Sequence, residues 1–425
     1  TASGFGATGA VSWNTTVKTS GFTAVAGEGY FVNTTGGAVS VNLPAGTAGA
    51  VVGFKDYANT FDTNAVTLVQ NGSDKIGGSA VNAILTTEGI AVTLVFIDST
   101  QGWLVTDSGL QDEASGPQYI TATGGTITTV CTDYKVHTFT GPGTFTVCNA
   151  GNAAGSNTVS YMVVAGGGSG GAGSGGGSCS EGGGGGAGGF REGKASTDCY
   201  SASPLNAPAG VPVTIQGYSI TVGAGGATNP DHNTAGNPGS NSIFSTITSN
   251  GGGFGGSRNH ISTPASRADN GGSGGGSGQA DDVPSQSNFG SGNTPPVSPS
   301  QGNNGGKSAY PSSPAQAGGG GGGGATVVGS NATPGPSVGG PGGAGATTSI
   351  NATPTAFAGG GGGAGESSPS PGGAGGGGQG AVPGVVDNTA GTANTGGGGG
   401  GGGGSKGIGE AGGSGIVIIR YKFQN

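Results

Sequence analysis

Short apolar segments alternate with polar turns through the first hundred residues. Between residues 11 and 108, runs of β-branched or aromatic residues are separated by Gly, Asn and Asp. The clearest runs are Tyr30–Val32, Ala38–Leu43, Val51–Phe54, Ala65–Val69, Val92–Ile97 and Gly102–Val105. This spacing is typical of an antiparallel β-sandwich or barrel, and no amphipathic helical pattern competes with it. The pattern predicts an all-β chain with an N-terminal β domain over residues 1–110.

A second group of strands follows a polar linker at residues 111–118. Strands are predicted again from Tyr119 to Val164, and this stretch forms a second, small β unit over residues 119–164. Within it, Lys135–Thr140 and Thr144–Val147 flank the sequence Gly-Pro-Gly at 141–143. Because that tripeptide has turn chemistry, the two strands are predicted to form a hairpin.

One more apolar strand lies near the end of the chain, after a long low-complexity stretch. It falls within residues 412–425, with its apolar core at Ile416–Tyr421, and it matches Val159–Val164 in character. We expect these two strands to share a sheet, so that residues 165–411 form an insertion that returns to its starting point. The C-terminal strand then closes the second β unit.

Glycine dominates that insertion. The chain has 107 glycines, and 83 of them follow residue 164. Only 8% of residues are charged, against about 25% in an average soluble protein, which argues against an ordinary helical enzyme. The glycine runs recur at no fixed period and fail the every-third-residue rule of collagen. An ordered alternative is a bundle of polyglycine II helices, extended helices with three residues per turn that exchange N–H···O bonds with their neighbours.

A flexible Gly/Ser linker is the competing interpretation of the same composition. Ordering each backbone residue costs about 1 to 2 kcal/mol, and glycine loses the most entropy. The return of the chain to an apolar strand favours order, so we expect a large polyglycine II bundle over residues 165–411.

Charge and hydropathy exclude two classes of partner. The formal net charge is −8, so the chain offers no basic surface for nucleic acid. There is no run of about 18 apolar residues and no basic-then-apolar leader, so membrane insertion is not expected. The sequence begins at Thr1 and its only methionine is Met162, which suggests that an earlier segment is missing.

The four cysteines are Cys131, Cys148, Cys179 and Cys199. They include no Cys-x-x-Cys pair, so a zinc cluster is not predicted. Disulfides fit better. Sequential pairing of Cys131 with Cys148 and of Cys179 with Cys199 is one of three possible connectivities. In a reducing compartment, all four would instead be buried thiols.

No catalytic or metal site is predicted. His137, His232 and His260 are scattered, and Asp231 beside His232 is adjacent only in sequence. The acidic pairs Asp112–Glu113 and Asp281–Asp282 lack the spacing of a calcium loop. Gly-x-Gly-x-x-Gly matches are inevitable in such sequence and lack a strand-to-helix context. We therefore expect no enzyme activity and no cofactor.

Two parts of the chain resemble known families. The stretch Phe22–Val32, with Val41–Pro44 and Val92–Val105, looks like β domains of phage tail fibres. His137–Val147, Tyr161–Gly168 and the ending Gly412–Tyr421 resemble glycine-rich domains of phage and bacterial surface proteins. Phage adhesins with glycine-rich tips are similar in running polyglycine II helices through a bundle whose end loops contact the host. The resemblance implies a virion-surface, extracellular protein that recognises a host receptor.

Several functional hypotheses follow. The first is a fibre or adhesin that binds a host cell-surface glycan or protein through loops of the glycine-rich domain. Its candidate contact residues are Phe254, Arg258, Phe289 and Tyr310. The alternative is a structural filament or a capsid or tail decoration subunit without receptor binding. An ice-binding function is not favoured, because this chain lacks a short strict repeat. A polysaccharide-cleaving activity is not favoured, because the glycine-rich half has few carboxylates to line a groove. By analogy with fibres, the chain is expected to form a homotrimer. Other virion proteins are its expected partners.

Overall fold

Two compact units make up the chain, Thr1–Gly116 and Pro117–Asn425. The computed structural model describes residues 11–110, 117–152, 155–173, 181–228, 236–257, 267–279, 288–309, 318–335, 337–403 and 407–424. Within these ranges the chain forms strands and turns and no helix, which confirms the all-β class. Most of the predicted linker, residues 111–116, lies outside them.

The first unit contains two sheets. Its strands are β1 (Ser12–Lys18), β2 (Phe22–Thr23), β3 (Glu28–Val32), β4 (Val39–Asn42), β5 (Val51–Asp56), β6 (Val66–Val69), β7 (Ala83–Leu85), β8 (Ile90–Phe96) and β9 (Trp103–Leu110). One sheet has the order β1-β3-β5-β8-β9 and the other the order β2-β4-β6-β7. Alternating side chains such as Val39 and Val41 of β4 point into a shared apolar core that includes Phe54 and Trp103.

Strand direction in this unit differs from the prediction. The pairs β1–β3, β3–β5, β2–β4 and β4–β6 are parallel, whereas β5–β8, β8–β9 and β6–β7 are antiparallel. From β1 to β6 the chain alternates between the two sheets, so each parallel crossover contains a strand of the opposite sheet. The apolar alternation of a strand is the same in either direction. It therefore predicted the strands but not their mixed ladders.

The second unit also contains two main sheets. Its strands are β10 (Ile120–Thr123), β11 (Thr126–Val130), β12 (Tyr134–Phe139), β13 (Gly143–Ala150), β14 (Thr158–Val164), β15 (Phe190–Gly193), β16 (Asn206–Ala207), β17 (Val211–Pro212), β18 (Gly217–Thr221), β19 (Ser242–Phe244), β20 (Ile247–Ser249), β21 (Ala346–Thr348), β22 (Thr355–Phe357) and β23 (Ile416–Lys422). The five-stranded sheet has the order β10-β13-β18-β19-β20, and the seven-stranded sheet runs β11-β12-β23-β14-β15-β16, with β17 on β14. Strands β21 and β22 pair with each other.

The predicted hairpin around Gly141 is wrong. Strand β12 pairs with β11 and β23, whereas β13 pairs with β10 and β18, so the Gly-Pro-Gly turn carries the chain from one sheet to the other. The hairpin in this region joins β11 to β12 instead. Its turn holds Cys131 and Thr132 at φ values of 48° and 63°, a conformation that non-glycine residues seldom adopt. Without glycine or proline, this turn gave no sequence signal.

The closing strand lies in the middle of the seven-stranded sheet. Strand β23 pairs with β14 on one side and β12 on the other, as the expected return of the chain requires. Odd-numbered residues of the two strands, such as Tyr161 and Ile419, pack against the five-stranded sheet. Even-numbered residues, such as Met162 and Ile418, pack against the glycine-rich region. Burial on both faces explains the continuous apolar runs of these strands.

Candidate functional site

The glycine runs form a regular network of main-chain hydrogen bonds around the buried segment 181–189. Every third N–H of this segment donates to the same neighbouring segment. Gly182, Gly185 and Gly188 donate to the carbonyl oxygens of Gly402, Gly399 and Gly396, at 2.8 to 2.9 Å. The next set, Gly183, Gly186 and Gly189, donates to Gly256, Gly253 and Asn250. The third set, Gly184 and Ala187, donates to Gly320 and Gly323.

The carbonyl groups of the same segment accept with the same period. Three further segments donate to it. In the first, Ala165, Gly168 and Gly171 donate to the carbonyl oxygens of Gly189, Gly186 and Gly183. In the second, Ser273, Gly276 and Gln279 donate to those of Ala187, Gly184 and Glu181, and in the third, Gly361 and Ala364 donate to those of Gly185 and Gly182. Segment 181–189 is thus hydrogen-bonded to three neighbours as a donor and to three others as an acceptor. We call this network the glycine bundle. It satisfies buried main-chain groups without a sheet.

Glycine is required here because the segments approach closely. A Cβ atom added at Gly185 would lie 2.2 Å from the carbonyl oxygen of Gly168, and one at Gly398 would lie 1.9 Å from that of Gly185. Real Cβ atoms essentially never come within 3.0 Å of another heavy atom. The spacing of the bundle therefore excludes most side chains at these positions.

The bundle has a proximal end at the sheets and a distal end away from them. At the proximal end, segments 165–173, 181–189 and 407–415 join β14, β15 and β23 directly. At the distal end, Gly173 donates to Gly407, Gly182 donates to Gly402, and Gln279 donates to the Glu181 carbonyl. The described turns at the distal end include Val382–Val386, where Val385 is 73% exposed.

Two of the four candidate receptor contacts lie in the described part of the chain. Phe254 is half-buried on the side of the bundle, with its side chain against Gly236. Phe289 is also half-buried. The intervening segment joins their backbones, since Ala268 donates to Asn288 and Asp269 donates to Phe254. Arg258 and Tyr310 lie outside the described residues.

The cysteines are placed on separate elements. Cys131 lies in the turn between β11 and β12, Cys148 on β13, and Cys199 in the loop after β15, and all three are exposed thiols. Cys179 lies outside the described residues. The Cys131–Cys148 and Cys179–Cys199 pairings remain predictions, which mass spectrometry of the unreduced protein would test.

A buried charged cluster holds the proximal end together, and no sequence pattern indicated it. The Nε of Arg420 on β23 lies 2.9 Å from Oδ1 of Asp198, and both side chains are buried. Ser160 on β14 donates to the other carboxylate oxygen of Asp198 at 2.8 Å, and Arg420 also donates to the Ile350 carbonyl. The guanidinium lies 4.6 Å from the ring centre of Tyr134. Five separate parts of the chain therefore meet at this Arg420 cluster.

His137 is buried, and its ring packs edge-on against Phe145 of the five-stranded sheet. Its Nδ1 lies 2.7 Å from the Gly124 carbonyl, so that nitrogen donates, and its Nε2 accepts from the Tyr421 hydroxyl at 3.1 Å. Burial lowers the pKa of His137 below its usual 6.5, and the charge of Lys135 lowers it further. The lowered pKa favours the neutral imidazole, and both ring nitrogens contact other groups of the second unit.

Two features are absent from the described residues, a metal-binding cluster and a membrane-spanning helix. No group of three or more His, Cys, Asp or Glu side chains in the described ranges is arranged to hold a metal ion. Over the same residues, no helix has the length and apolar character needed to cross a membrane.

Each unit of the chain matches a family model. Residues 4–111 match a family model described as bacteriophage T4 gp9/10-like protein, N-terminal. Baseplate wedge protein gp10 of Enterobacteria phage T4 is 41% identical over 75 residues, which is 16% of this chain and 12% of that protein. The chain thus matches only a small part of this relative's length. These matches support a phage tail or baseplate protein.

Residues 140–422 match a family model described as a glycine-rich domain. Because this match covers more than half of the chain, the protein belongs to the glycine-rich domain family.

Proposed function

We propose that the chain is a non-enzymatic phage fibre or adhesin subunit that recognises a host surface receptor at the distal end of the glycine bundle. In this proposal the first unit, which resembles the gp9/10 N-terminal region, joins the subunit to other virion proteins. The observation that carries the proposal is the bundle itself. Its segments start at the sheets and turn at the distal end, so a rigid frame holds the turns away from the core.

The segments of the bundle are, in the same proposal, polyglycine II helices. A helix with three residues per turn directs successive N–H groups in three directions, which accounts for partners that repeat every third residue. Such a frame supports recognition because binding then orders few additional residues.

Binding to host cells tests the proposal. Labelled full-length protein should bind candidate host cells saturably and should block adsorption of the phage. The variant Val385→Asp, which changes an exposed distal turn, should weaken binding at least about tenfold, equivalent to 1.4 kcal/mol. The control Ile215→Asp alters an equally exposed side chain beside β18 and should bind as the wild type does. Phe254→Ala and Phe289→Ala test the lateral aromatic residues.

A structural subunit without receptor binding is the second candidate. It is favoured by the relative, which is named as a baseplate wedge protein. A folded sample that binds no host cell, together with a phage that fails to assemble without the chain, would select this function. Under either candidate function, the molar mass measured by light scattering tests the expected homotrimer.

A further inference from the structure

Two buried oxygen atoms at the distal end of the bundle have no hydrogen-bond partner. Glu181 begins segment 181–189 and is 2% exposed, and Gln279 ends its neighbouring segment and is 3% exposed. Their backbones are joined, since the Gln279 N–H donates to the Glu181 carbonyl at 3.0 Å. Glu181 Oε2 and Gln279 Oε1 are both buried and unpartnered. When Glu181 is ionised both atoms are acceptors, so neither can satisfy the other.

Among the residues that the structure describes, no side chain pairs with the charge of Glu181. Its Oε2 faces Gly403 and Ala364, since a Cβ built on Gly403 would meet that oxygen and the Ala364 methyl. Within the described residues the ion pair present is that of Arg420 with Asp198, far along the bundle. Burial, together with the negative charge of Glu366, raises the pKa of Glu181 to about 8. A buried carboxylate beside a second negative charge is unfavourable unless a donor or a cation joins it.

We propose that the Glu181 carboxylate and the Gln279 side-chain oxygen are ligands of a Ca²⁺ ion at the distal end of the glycine bundle. Ca²⁺ takes six to eight oxygen ligands in flexible geometry and combines carboxylates with amide and main-chain carbonyls. A buried oxygen without a hydrogen-bond partner requires an explanation, and a bound ion is one of those found in native structures. The two named ligands are one carboxylate and one neutral amide oxygen, and Glu366 adds long-range negative charge, so acidic-cluster patterns do not identify the site. The ion would join segment 181–189 to segment 273–279.

Calorimetric titration of the full chain with CaCl2, after dialysis against a chelator, tests the site. We expect saturable binding of about one Ca²⁺ per chain, a melting temperature that rises with Ca²⁺ concentration, and weaker binding of Mg²⁺. Glu181→Gln removes the charge at constant shape and should weaken binding at least tenfold. Glu88→Gln changes an exposed carboxylate of the first unit and should bind as the wild type does. Binding should strengthen as the pH rises toward 8, because the carboxyl must lose its proton.

Wild-type protein that shows no saturable Ca²⁺ binding would overturn the proposal, as would unchanged binding in Glu181→Gln. If Glu181→Gln fails to fold, Gln279→Met removes the amide oxygen at similar length, and unchanged binding in that variant would overturn it equally. A wild-type protein that ignores Ca²⁺ and is destabilised as the pH rises from 5 to 8 would instead identify Glu181 as a buried neutral acid. None of these results depends on receptor binding.

Discussion

Individual positions in the bundle require glycine because main-chain oxygens lie close to the place of a Cβ atom, and not because of turn geometry. At Gly185, the position of a Cβ atom is occupied by the carbonyl oxygen of Gly168. By contrast, Ala187 of the same segment turns its methyl group into the apolar cluster that contains Met162 and Phe190. At Ala187 the bundle accommodates a side chain because that position faces the apolar cluster and not a neighbouring glycine segment.

Gly185→Ala should destabilise the second unit. Overpacking in a dense interior costs about 1 to 3 kcal/mol, and here backbone must move to make room. Denaturant unfolding followed by near-UV circular dichroism would measure the loss. Gly141→Ala is the matched control, since a Cβ atom at Gly141 meets nothing within 4 Å. Equal stability of the two variants would contradict the packing described for the bundle.

His137 should make the second unit less stable in acid. Its pKa is lowered in the folded state, so the unfolded chain binds the proton first as the pH falls. The stability contributed by neutral His137 is complete above pH 6.5 and is lost as the pH falls below it. We expect the difference in melting temperature between wild type and His137→Gln to shrink between about pH 7.5 and pH 5. A difference that does not vary with pH would show that His137 is not buried in neutral form.

At the scale of elements, apolar patterns predicted most strands but few of their partners. The runs at Val159–Val164 and Ile416–Tyr421 were visible in sequence because both faces of β14 and β23 are buried. Short strands such as β16 and β17 have two residues each and gave no pattern. The Arg420 cluster was not predictable, because Asp198 and Arg420 are 222 residues apart and each looks like an isolated charge.

Arg420→Leu should be strongly destabilising. Removal of one partner of a buried ion pair leaves the other charge uncompensated and costs about 3 to 5 kcal/mol. In the double variant Asp198→Asn with Arg420→Leu, no buried charge remains, so the loss should be smaller than in the single variant. Chemical denaturation of the wild type, both single variants and the double variant gives the coupling energy. A double variant as unstable as the sum of the two single variants would exclude coupling between these side chains.

At the scale of the whole molecule, composition alone could not separate an ordered bundle from a flexible linker. The return of the chain to β23 was the sequence feature that favoured order, and the buried segment 181–189 lies within that ordered region. The hydrogen-bonding partners of each glycine run were beyond prediction, since runs of identical residues carry no register. The candidate site at Glu181 and Gln279 was missed for a related reason, because their proximity depends on that register.

Hydrogen exchange should therefore show glycine runs as protected as strands. We expect amides in 182–189 and 396–402 to exchange about 1,000-fold or more slowly than in an unfolded chain, an opening free energy above about 4 kcal/mol. Peptides that cover β14 serve as the internal reference. Exchange of the glycine runs at the rate of free peptides would support a linker and would contradict the hydrogen-bonded bundle.

The position of β23 has a consequence for synthesis of the protein. Ile416 lies 252 positions after Val164, yet β23 and β14 are direct neighbours in the sheet. At about 5 to 20 residues per second, a ribosome takes roughly 13 to 50 s to make the intervening chain. During that time β14 has no partner on the side where β23 will lie. The nascent segment between them is rich in glycine and poor in large apolar side chains. It therefore exposes little apolar surface for association with other chains before β23 is synthesised.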